Sequence, residues 1–158
     1  MSISVEKLPA EKQVEVLIKF CEEEWAQRRQ SENQRATITN FVLTIASAVL
    51  VIIVQKGLNV DSLPLAILLI PLGLYGALSS AKLYERGEFH INITKFWRKQ
   101  IAELCPDVQL LQLREMAKSD HTAKFRVLTK VRLHDLWLGL HIGIVLVGVV
   151  LTLAIIVR

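Results

Sequence analysis

Apolar residues fall into two rhythms along this chain. In the first 35 residues, Val14, Leu17, Ile18, Cys21 and Trp25 recur at the i, i+3, i+4, i+7, i+11 spacing of one helix face, while Glu11, Lys12, Glu15, Lys19 and Glu22 occupy other positions. Three stretches then lack Asp, Glu, Lys and Arg altogether: 36–55, 63–81 and 136–157, of 20, 19 and 22 residues. Each supplies enough helix to cross a hydrocarbon core of about 30 Å. The pattern predicts an all-α membrane protein with three transmembrane helices and a helical extension outside the bilayer.

Helix breakers divide these elements. No Gly or Pro interrupts residues 10–55, so the amphipathic helix is expected to run on into the first span as one rod, with Pro9 suited to its opening turn. Gly57 is a natural stop, with Asp61 or Ser62 as the next cap. The first two spans therefore form a tight hairpin. Pro64 fits the opening turn of the second span, whereas Pro71 lies inside it, removes a backbone donor and is expected to bend it. Helical spacing resumes over 83–105 and ends at Pro106; Asp107 is expected to cap a shorter helix through Lys118. Ser119-Asp120 then restarts the chain, and the last helix is expected to run from about His121 straight into the third span. This gives four segments: an amphipathic helix over 1–35, a two-span hairpin over 36–81, a helical segment over 82–135 and a third span over 136–158. No strand, repeat or low-complexity tract is expected.

Charge adds an orientation. Of 19 Lys and Arg residues, 17 lie before the first span or between the second and third, leaving only Lys56 and Arg158 for the other side. The positive-inside rule then predicts a cytoplasmic amino terminus, a cytoplasmic 82–135 segment and an external carboxyl terminus. The first 35 residues carry seven acids and six bases, unlike the short apolar run of a cleaved leader, so no signal peptide is expected. A bacterial inner membrane is the expected address of this multi-pass chain. Cys21 and Cys105 fall on the predicted cytoplasmic side without CxxC or Cys/His spacing, which argues against a disulfide or metal site. With 158 residues, 52% of them apolar, and a mean hydropathy of +0.39, there is no room for a large catalytic domain.

Several positions carry candidate chemistry. Thr37, Asn40, Thr44, Ser47 and Gln55 share one side of the first span, a polar stripe that either lines a hydrated pore or holds helices together. Gly139 and Gly143 form a GxxxG in the third span, and Gly73 and Ala77 supply small residues in the second, all candidates for close packing or oligomerisation. Three spans enclose no conduit alone, so a pore requires a homo-oligomer. His141, about one turn inside the third span, is a candidate for pH sensing or for a polar pathway. Lys95, Trp97, Arg98 and Lys99 make a basic, aromatic turn suited to anionic lipid headgroups or to a soluble anion such as a nucleotide or oligonucleotide. Glu24 and Arg28, at i, i+4, are expected to pair. His134-Asp135 and Asp120-His121 are adjacent acid/base residues that point apart on a helix, with no nucleophile in register. No cofactor, metal site or enzymatic activity is expected, and no glycine-rich phosphate motif occurs.

The amphipathic helix ending in Arg28-Arg29 and Asn33-Gln34-Arg35, the tight two-span hairpin, and the run Tyr84-Glu85-Arg86-Gly87-Glu88-Phe89-His90 resemble small bacterial membrane effectors of anti-phage defence. The resemblance is to the SLATT-type group and similar channel-forming effectors paired with a nucleotidyltransferase. It covers residues 11 to about 105; the third span departs from a plain two-span plan. It implies an oligomeric inner-membrane channel gated by a cytoplasmic ligand or partner. The competing expectation is a membrane anchor or accessory subunit whose amphipathic face, Val14, Leu17, Ile18, Cys21 and Trp25, docks a soluble protein.

Overall fold

A computed structural model describes residues 8–158; the first seven positions of the amino-terminal segment lie outside the described residues. The described chain is all-helical, with three helices long and apolar enough to cross a membrane. Helix α1 spans Ala10–Lys56 as one 47-residue element, as expected of a run without Gly or Pro. It stops at Gly57, whose φ of +79° lies in the left-handed region that favours glycine.

The following turn is held by two side chains. Asn59 Nδ2 donates to the Lys56 carbonyl at 3.0 Å, and its Oδ1 accepts from the Ser62 backbone N–H at 3.2 Å. Ser62 Oγ donates to the Gly57 carbonyl at 2.8 Å. Asn59 thus caps the short 3₁₀ turn Val60–Ser62 that leads into α2, while Asp61 and Ser62, the expected caps, lie within that turn. Helix α2 spans Leu63–Leu104 and continues through Pro71.

Pro106 ends α2 as expected. Gln109, with φ 49° and ψ 35°, then turns the chain into α3, Leu110–Lys124. Asp107 lies in the short 3₁₀ turn ahead of α3 rather than at its cap. Ser119 and Asp120 do not restart the chain, since α3 continues through them, with Thr122 Oγ1 bonding back to the Lys118 carbonyl at 2.9 Å. The break comes instead at 125–132, and the last helix, α4, is Leu133–Val157, twelve residues later than the expected start at His121.

Two compact units result. Among the described residues the first comprises 8–30 and 87–130, and the second 31–86 and 131–158. In the second unit, Ala46, Val49 and Ile53 of α1, Ala66 and Leu69 of α2 and Ile155 of α4 form the buried core. The helices meet closely where small residues allow it: a Cβ on Gly148 would come within 3.1 Å of Leu69, Ile70 and the Ala66 carbonyl, and one on Gly73 within 2.9 Å of Val145 and the His141 carbonyl. The unit extends five residues beyond the charge-free stretches at 36, 81 and 136, because Arg35 packs on Trp137 and Tyr84 stacks on His134, with ring centroids 4.0 Å apart. In the first unit, Phe20 meets Trp97 with centroids 5.1 Å apart, and Cys21 is buried beside them on α1.

Candidate functional site

The second unit carries polar groups on two opposite faces of α1. At 100° per residue, the buried positions Arg35, Thr39, Val42, Ala46, Val49 and Ile53 cluster on one side, and Thr37, Asn40, Thr44, Ser47 and Gln55 lie diametrically opposite. All five members of the predicted stripe are exposed, facing away from the core. Thr37 and Thr44 return their hydroxyls to the helix, donating to the Asn33 and Asn40 carbonyls at 2.9 and 2.8 Å. No described residue bonds the Asn40 carboxamide. Among exposed positions of the three charge-free stretches, polar side chains otherwise occur only at Tyr75.

The inward face holds a polar cluster that periodicity alone does not reveal. His141 and Thr39 are 0% and 1% exposed, and His141 Nε2 lies 3.2 Å from Thr39 Oγ1. The imidazole sits against Gly76, where a Cβ would overlap it, so α2 offers a glycine where α4 brings a ring. One turn away, Arg35 is 2% exposed, bonds Glu32 through Nη2, and lies 5.4 Å from the centre of the Trp137 ring. Ser80 is buried nearby on α2. Beyond this layer the interior is filled by Val42, Ala46, Val49, Ala66 and Leu69. A single unit therefore has no polar route through its centre.

The packing candidates divide in the same way. Gly73 and Ala77 are buried at helix contacts, whereas a Cβ on Gly139 or Gly143 would meet nothing within 4 Å. The small residues of α4 used within the chain are at Gly148, one that the GxxxG pattern does not include.

The first unit gathers a different chemistry. The segment over 90–98 places His90, Ile91, Thr94, Lys95 and Arg98 on one face of α2, and these line a cavity of about 140 Å³ with Glu24, Trp25 and Arg28 of α1 and Arg114 of α3. Arg28 and Arg98 both rest on the Trp25 indole, 5.3 and 5.4 Å from its centre. Glu24 pairs with His90, not with Arg28 as the i, i+4 spacing suggests. The Glu24 and His90 side chains are both sheltered from solvent. Of the four residues in the predicted basic turn, Lys95 and Arg98 line the cavity; Trp97 instead packs on Phe20, and Lys99 lies 4.0 Å from Glu103. Arg28 and Arg114 join from positions too distant in sequence for a local motif to connect them. Burial pushes the Cys21 thiol above its ordinary range; nearby Arg98 opposes that rise and Glu24 adds to it.

The amphipathic face of α1 is only partly covered. Ile18, Cys21 and Trp25 line an apolar groove of about 520 Å³ with Ile101, Leu110 and Leu111. Among the described residues there is no cluster of three or more His, Cys, Asp and Glu side chains suited to a metal ion. Comparison with family models, curated proteins and solved structures finds no match for this chain.

Proposed function

We propose that this chain is a multi-pass membrane protein that assembles with copies of itself into an ion-conducting channel, with Thr37, Asn40, Thr44 and Ser47 of each copy facing a shared polar route. One observation carries the reading: the stripe residues Thr37, Asn40, Thr44, Ser47 and Gln55 are all exposed on the side of α1 opposite the chain's own core. In hydrocarbon, an amide such as that of Asn40 without a partner costs about 2 to 7 kcal/mol. Water or a neighbouring copy removes that penalty, and three helices with a packed interior supply neither alone. Orientation follows the charge: the end of the second unit formed by 31–35, 82–86 and 131–135 is cytoplasmic, and the end with Lys56 and Arg158 is external. A bacterial inner membrane, a role in anti-phage defence and gating by a cytoplasmic ligand or partner extend this proposal on the resemblance noted from sequence.

Ion flux from proteoliposomes tests it. Purified protein is expected to release trapped ions, and Asn40→Leu with Thr44→Leu to abolish the release while leaving the fold intact. Equal flux from the double variant would remove the stripe from the route. A second reading, a membrane anchor that docks a soluble partner, is favoured by the open groove beside Ile18 and Trp25. It predicts that Ile18→Glu abolishes function while the stripe tolerates Leu.

A further inference from the structure

We propose that the cavity of the first unit binds a phosphorylated anion, a phosphomonoester or pyrophosphate group, through Arg28, Lys95, Arg98 and Arg114. Three helices converge there. Four cations and one acid, Glu24, line the space, a formal surplus of +3 from the Lys, Arg and Glu side chains. None of the four cations is ion-paired with a carboxylate among the described residues. Arg28 and Arg98 lie on the Trp25 indole, Lys95 donates to the neutral Asn92 Oδ1 at 2.9 Å, and Glu24 is engaged by His90.

The contrast with the rest of the chain is informative. Lys19, Lys82, Lys99 and Lys118 each pair with a glutamate three or four residues away. The cavity cations instead make no such pair among the described residues, with the one acid in the space, Glu24, turned to His90, and are held together despite their repulsion. A bound anion of charge −2 or more compensates that arrangement, whereas a single carboxylate leaves most of the surplus unmatched. Guanidinium forks match phosphate oxygens two at a time, and three of the four cations are arginines. The arginines occupy the indole, so the site offers charge rather than a stacking surface for a base, and about 140 Å³ suits a phosphoryl or pyrophosphoryl group more than a whole nucleotide. The site stands apart from the channel reading, because it is defined and tested by binding alone.

Calorimetric titration of the full chain in an uncharged detergent tests the proposal with two probes: inorganic pyrophosphate at constant ionic strength, and phosphatidic acid added to the micelles, with phosphatidylcholine as control. Saturable binding of pyrophosphate identifies a soluble phosphorylated ligand; saturable binding of phosphatidic acid alone identifies a lipid headgroup. Either supports the site if Arg98→Gln with Arg114→Gln weakens it about tenfold or more, the expected consequence of losing two charged hydrogen-bond donors, while Lys99→Gln leaves it unchanged. Arg114 is exposed, and the single Arg114→Gln variant, expected to fold normally by circular dichroism, keeps the test decisive if the double variant does not fold. Binding that ignores these arginines, or binding of neither probe, overturns the proposal.

Discussion

The two faces of α1 between residues 31 and 55 are built from similar residues and meet different surroundings. Inward, Arg35 and Thr39 are buried against Trp137 and His141, followed by Val42, Ala46, Val49 and Ile53. Outward, Thr37, Asn40, Thr44 and Ser47 are exposed along the same length of helix. A threonine on the inner face binds another helix, whereas one on the outer face satisfies its hydroxyl on its own backbone. Polarity within an apolar helix therefore has two meanings here: the inner groups hold the chain's fold, and the outer groups are available to something outside it.

The largest effect is expected where the inner face is tightest. Gly76→Val places a side chain into the His141 imidazole and is predicted to destabilise the fold by about 2 to 3 kcal/mol, read as a lower thermal midpoint in detergent. Gly143→Ala, whose added Cβ meets nothing within 4 Å, is predicted not to lower that midpoint. A smaller effect is expected for Thr39→Val, which removes the hydroxyl facing His141 and should cost about 0.6 to 2 kcal/mol. Thr44→Val should cost less than Thr39→Val, since its hydroxyl returns to the helix backbone. Equal losses at Thr39 and Thr44 would erase the distinction between the faces.

The smallest effect concerns reactivity rather than stability. A thiol whose proton is held by burial presents less thiolate at neutral pH, so Cys21 is predicted to react with maleimide more slowly than the less buried Cys105, and to accelerate only as pH rises past the ordinary thiol range. Mass spectrometry of timed samples checks this. Faster labelling of Cys21 would contradict the packing around Phe20 and Trp97.

Much of the fold was legible from local signals. Absence of charge marked the three apolar helices, absence of Gly and Pro marked the continuity of α1, and Gly57 and Pro106 marked ends. Ser119-Asp120 misled because turn-forming residues are tolerated inside a helix that continues on either side. The boundaries of the second unit were hidden because the Arg35–Trp137 and Tyr84–His134 contacts join residues about 100 and 50 positions apart. Periodicity located the outer stripe but carried no information on which way it faced, since Arg35 and Thr39 make an equally regular polar row on the other side. The basic turn at 95–99 was visible, yet only Lys95 and Arg98 line the cavity, and Arg28 and Arg114 enter through folding alone.

The central claim, that the outer face of α1 meets water in the assembled protein, is tested most directly by cysteine accessibility. Single cysteines are placed at Asn40, Thr44 and Ser47, and for comparison at Phe41 and Ile45 on the exposed apolar surface, in a chain with Cys21 and Cys105 replaced by serine and reconstituted into vesicles. The account predicts that a membrane-impermeant thiol reagent modifies positions 40, 44 and 47 and blocks ion flux, while 41 and 45 stay unmodified. Protection of 40, 44 and 47 to the same degree as 41 and 45, in protein that conducts ions, would contradict it.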